Sequence, residues 1–79
     1  MKGTIIGFRQ YTSKQSGEMR VEICFAPTQN DPGWTGQQIK TMSGSSSSVE
    51  GLLKAGSKFQ CDTNTINWRL YFDNLCIIG

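Results

Sequence analysis

The 79-residue chain carries eight Lys or Arg against six Asp or Glu, a formal net charge of +2, and no histidine. That length holds one core and no second domain, a single unit over residues 1–79, and so mild a charge makes any polyanion partner depend on where the cations point. Three cysteines, Cys24, Cys61 and Cys76, form no C-x-x-C pair and have no histidine to complete a zinc pattern, so they read as buried or half-buried free thiols in a reducing compartment, with no metal and no cofactor.

Lys2 to Thr12 (KGTIIGFRQYT) is rich in β-branched and aromatic residues and predicts a long first strand. Thr4, Ile6 and Phe8 share one face, Ile5, Arg9 and Tyr11 the other, and Gly7 marks a bend or bulge. The apolar stretch after Met1 is broken by Gly7 and Arg9, too short for a signal core or a membrane span, which predicts a cytoplasmic protein with no membrane contact. Ser13–Gly17 supplies a hairpin turn. Glu18–Ala26 then alternates most cleanly, with Met19, Val21, Ile23 and Phe25 against Glu18, Arg20, Glu22 and Cys24.

Pro27 stops this second strand, and Thr28–Gly33 reads as an exposed loop. Trp34–Ser43 predicts a weaker third strand without a strongly apolar face, suited to an edge or to a partner. Gly44 and Ser45–Ser48 form a flexible loop within the domain. Ser48 is placed to cap a helix of at most two turns carrying Val49, Leu52 and Leu53, ended by Gly56. Ser57–Thr63 gives a fourth strand with Phe59 and Cys61 inward. Asn64-Thr65 turns, and Ile66–Phe72 gives a fifth with Ile66, Trp68, Leu70 and Phe72 on one face, followed by Asp73-Asn74 and a final apolar segment, Leu75–Ile78.

Five short strands with one short helix or turn between the third and fourth predict a mostly β fold, a small five-stranded OB-like open barrel. A chain this short leaves stability marginal, and the cheapest added burial is a second copy, so a symmetric homodimer is expected.

The opening MKGTIIGF, the Lys14–Gly17 hairpin and GLLKAGSKFQC leading into a strand resemble the small OB-type single-stranded DNA-binding proteins of phages and mobile elements. The resemblance spans most of the chain. It implies a non-catalytic homodimer that coats the displaced strand during DNA replication. Members often carry stacking aromatics on protruding hairpins, and the Gly44–Ser48 loop has none.

The residues point to an outward face on which Arg9, Tyr11, Arg20, Arg69 and Tyr71 interleave cations with flat rings, the combination that neutralises phosphates and stacks on bases of any sequence. Lys14 on the first hairpin, with Lys40 and Lys58 on outward strand positions, extends a phosphate track. Trp34 is a candidate stacking residue or the lid of a small core, and Trp68 reads as core. Catalysis finds no support. The carboxylates are scattered, Cys24 between Ile23 and Phe25 has no neighbouring base, and no phosphate-binding glycine loop occurs. Single-stranded nucleic acid, DNA before RNA, is therefore the expected partner, with no small-molecule substrate. The alternative is a small phage- or mobile-element-encoded interaction module or inhibitor that adds an edge strand to its target.

Overall fold

Strict alternation in the second segment builds the strand that organises the molecule. In the computed structural model, which describes residues 1–78, β2 (Met19–Pro27) buries Val21, Ile23 and Phe25 and leaves Arg20, Glu22 and Cys24 half-buried on its other face. β1 (Lys2–Thr12) and β3 (Lys40–Ser45) flank it in antiparallel register. β4 (Lys58–Ile66) and β5 (Arg69–Ile77) form a second antiparallel hairpin. The sheet closes in a ring in the order β1-β2-β3-β5-β4. Two seams are thin: β3 meets β5 in parallel only at Ser43 and Tyr71, and β1 meets β4 only from Lys2 to Thr4. The chain is thus mostly β, as the strand order predicts, with five strands closing in a ring in the OB-like order rather than leaving the barrel open, and one short turn between β3 and β4. No helix among the described residues is long and apolar enough to cross a membrane.

The core is Ile5, Val21, Ile23, Phe25, Met42, Val49, Phe59, Cys61, Phe72 and Leu75. Phe25 and Phe59 meet edge to face with centroids 5.4 Å apart, the geometry the ring quadrupole favours. Gly44 is required beneath Phe72, since a Cβ there would lie 2.7 Å from the ring carbon Cζ. All three cysteines are unpaired. Burial pushes the Cys61 thiol up to about 11. Cys76, expected within the apolar interior, is exposed because a register shift in β4 and a left-handed Asn74 (φ 53°) rotate the end of β5 so that Leu75 points inward.

Four elements depart from the sequence-based expectation. In β1 the register shifts between Ile5 and Gly7, so Ile5 enters the core while Arg9 and Tyr11, three and five pairs further along, stay outside; strict alternation groups all three. The third strand begins at Lys40, not Trp34, because Gly33 and Gly36 adopt φ of 82° and 86° and Gln38 folds back onto Asp31. The helix shrinks to a single 3-10 turn, Ser46–Val49. Ser48 caps nothing: its hydroxyl donates to the Ser45 carbonyl at 2.8 Å, the local bonding by which serines compete with helix, and Gly51 at φ 76° ends the turn. Val49 is buried and Leu53 packs on the core, while Leu52 is exposed. Finally, the β4–β5 turn is Asn67-Trp68, at φ 51° and 67°, the double left-handed pattern of a type I′ hairpin. A two-residue turn preserves alternation, so Ile66–Phe72 reads as one strand when it is the end of one and the start of the next.

Candidate nucleic-acid interface

The outer face of the β1-β2-β3 sheet is set by register. Arg9 lies opposite Glu22, Glu22 opposite Ser43, and Ser43 opposite Tyr71, which makes one transverse row across four strands. Tyr11 lies opposite Arg20 in the neighbouring row. The β1–β2 hairpin rises on one side with Lys14, and the β4–β5 hairpin on the other with Trp68 and Arg69. Between them runs an open groove of about 1120 Å³.

Arg9, Tyr11, Lys14, Arg20, Lys40, Arg69 and Tyr71 all line this groove, so seven of the nine residues singled out by sequence converge. Trp34 and Lys58 do not. Trp34 sits in the β2–β3 loop, its amide bonded to the Asp31 carbonyl at 3.1 Å, and is half exposed, neither lid nor groove wall. Lys58 opens β4 opposite Thr4 at the far seam. Trp68, expected in the core, is instead 99% exposed at the hairpin tip and lines the groove. Only the left-handed tolerance of Asn67 hinted at a turn there.

The groove cations are in three states. Arg9 Nε donates to Glu22 Oε1 at 2.9 Å, and its guanidinium carbon lies 5.9 Å from the Tyr11 ring centre. Arg20 lies 5.8 Å from the Tyr71 ring centre, within cation–π reach, so each tyrosine also orients an arginine. Lys40 Nζ approaches Asp31 Oδ2 at 3.3 Å. Hydrogen bonds from Gln38 and Lys40 hold the Asp31 carboxyl below its ordinary value of 3.8, and the Asp31 amide donates to Gln38 Oε1 at 2.9 Å. Among the described residues, Lys14, Arg20 and Arg69 make no ion pair.

Charge is segregated accordingly. The groove holds five cations and one carboxylate, Glu22, a local charge of +4. The rest of the chain has Lys2, Lys54 and Lys58 against Glu18, Asp31, Glu50, Asp62 and Asp73, a charge of −2. Asp62 and Asp73 stand directly opposite each other on the β4–β5 hairpin, outside the groove. No family model, curated protein or solved structure matches the chain.

Proposed function

We propose that this protein binds single-stranded DNA without sequence preference, along the groove between its two hairpins, and acts by coating rather than by chemistry. The observation that carries this reading is the charge partition: a +2 chain concentrates +4 in one groove, on the sheet face that open barrels of this order use for oligonucleotides. Flat side chains lie among those cations. Tyr11, Tyr71 and the exposed Trp68 offer faces to bases of any identity, each worth about 1–3 kcal/mol when stacked. A groove open to both hairpins admits a continuous strand, and the acidic remainder repels phosphates that stray from it.

The resemblance to OB-type single-stranded DNA-binding proteins of phages and mobile elements supports the same function, with DNA replication as its setting and the cytoplasm as its place. The test is fluorescence anisotropy of a labelled oligo(dT) of about 20 nucleotides, longer than one groove of this type occupies. A rise at low salt is expected. A flat signal at tens of micromolar folded protein removes the reading.

A further inference from the structure

Beyond the bulge, one edge of β1 has no partner among the described residues. Ser13 donates its amide to the Glu18 carbonyl at 2.9 Å, so, alternating back along the ladder, Tyr11, Arg9 and Gly7 bond to β2. Phe8, Gln10 and Thr12 therefore turn their N–H and C=O groups away from it. On that side β1 pairs with β4 only at Lys2–Thr4, and Ile5 bonds to Ser57 and Gly56; among the described residues nothing continues the ladder to Thr12. This edge has no proline and no charge on its edge-bonding residues, two of the usual protections, and the Ser45–Ser48 segment meets it through the Gln10 side chain, whose Nε2 donates to Ser46 Oγ at 3.1 Å. Beside it, Phe8 and Met19 are large apolar side chains left 44% and 49% exposed, on the face that turns inward lower in the barrel.

We infer that this edge is the seat of a second copy of the same chain, joined β1 to β1 in antiparallel fashion about a two-fold axis at Gln10. Two identical strands pairing antiparallel are related by such an axis, so the contact closes without leaving a further free edge. Centred on Gln10, the facing pairs are Gln10 with the partner's Gln10, and Phe8 with the partner's Thr12 in both directions. Each exchanges a pair of backbone hydrogen bonds, roughly six in all. The register is selected by charge. Centring on Arg9 would set two guanidiniums directly opposite, which is destabilising, whereas centring on Gln10 sets Arg9 opposite the partner's Tyr11. Centring on Tyr11 shortens the ladder. On the inner side, Phe8 meets the partner's Thr12, whose cross-strand neighbour is Met19, so both exposed apolar groups of each copy are covered. On the outer side, the grooves of the two copies become neighbours on one continuous sheet.

The test contains no nucleic acid, so it stands or falls apart from the binding reading. Sedimentation at micromolar concentration should give twice the 8.8 kDa chain mass. Gln10→Pro deletes an amide hydrogen that β2 does not use and should give a monomer with an unchanged circular dichroism spectrum. Thr12→Lys places a charge at the same edge and should do likewise, which covers the case in which the proline variant fails to fold. In the wild type, the amides of Phe8, Gln10 and Thr12 should gain protection from hydrogen exchange as concentration rises. A wild-type monomer overturns the inference. So does a dimer that survives both substitutions, or one in which those three amides exchange as freely as in dilute protein.

Discussion

β2 and β3 have two faces separated by a single pleat, and the two faces hold different kinds of residue for different ends. Inward stand Val21, Ile23, Phe25, Met42 and Gly44, all buried, with Phe72 seated on the glycine. Outward stand Arg20, Glu22, Thr41 and Ser43, all groove-lining. Removal of apolar area from water stabilises the fold through the first face. The second spends its positions on charge and hydrogen-bonding groups that add little to stability, since exposed ion pairs such as Arg9–Glu22 contribute only about 0–1 kcal/mol. What the contrast teaches is that substitutions on the inner face should act on stability and those on the outer face on the proposed binding, strand residue by strand residue.

The sharpest way to break this separation is Ile23→Ala. Loss of a fully buried branched side chain should cost about 2–5 kcal/mol of stability by chemical denaturation, a large share of what so small a domain has, while the folded fraction keeps wild-type affinity for oligo(dT). A changed affinity would mean that the two faces are coupled. Next in size is Trp68→Ala on the outer side: affinity should fall by about 1–3 kcal/mol, with stability moved by no more than about 0.5 kcal/mol because the side chain touches no core.

Smaller effects sharpen the electrostatic half. Arg69→Ala should make the slope of log K against log salt shallower by about 0.7, one single-strand contact, and leave the Trp68 contribution intact. Asp31→Asn should work in the opposite direction by releasing Lys40, steepening the slope by up to about 0.7. The same carboxyl sets an acid limit. Its pKa is depressed in the folded state, so the Asp31–Gln38–Lys40 clasp contributes fully above the unfolded value of 3.8 and is lost as pH falls below it. The Gln38 side-chain amide resonances should report this in the wild type and show no such titration in Asp31→Asn.

The barrel and most of the groove were legible in the sequence because they rest on period-2 alternation. Glu18–Ala26 reveals its buried face directly, and parity alone puts Arg9, Tyr11, Arg20, Arg69 and Tyr71 on one outward surface. What parity could not reveal are the events that conserve or reset it. The bulge at Ile6 changes the phase of β1, so uninterrupted alternation places Ile5 with Arg9 and Tyr11. The Asn67-Trp68 turn conserves the phase, so alternation puts Trp68 in the core although it stands at a hairpin tip. Trp34 and Lys58 lie outside the groove for a different reason: an alternating string reports which way a side chain points but not which end of the barrel it occupies, and that depends on pairing register between distant strands.

The central claim, that the groove between the hairpins is where a nucleic-acid strand lies, is tested most directly by Trp68 itself. Trp34→Phe leaves Trp68 as the sole tryptophan of the chain, and its emission can be followed together with the anisotropy of labelled oligo(dT). Both signals should change in parallel with one binding constant. With Lys14, Arg20 and Arg69 free of ion pairs, that constant should fall with a salt slope of about −2, or roughly 20-fold between about 50 and 200 mM salt. An anisotropy rise with unchanged Trp68 emission would place the strand elsewhere on the molecule and contradict the account.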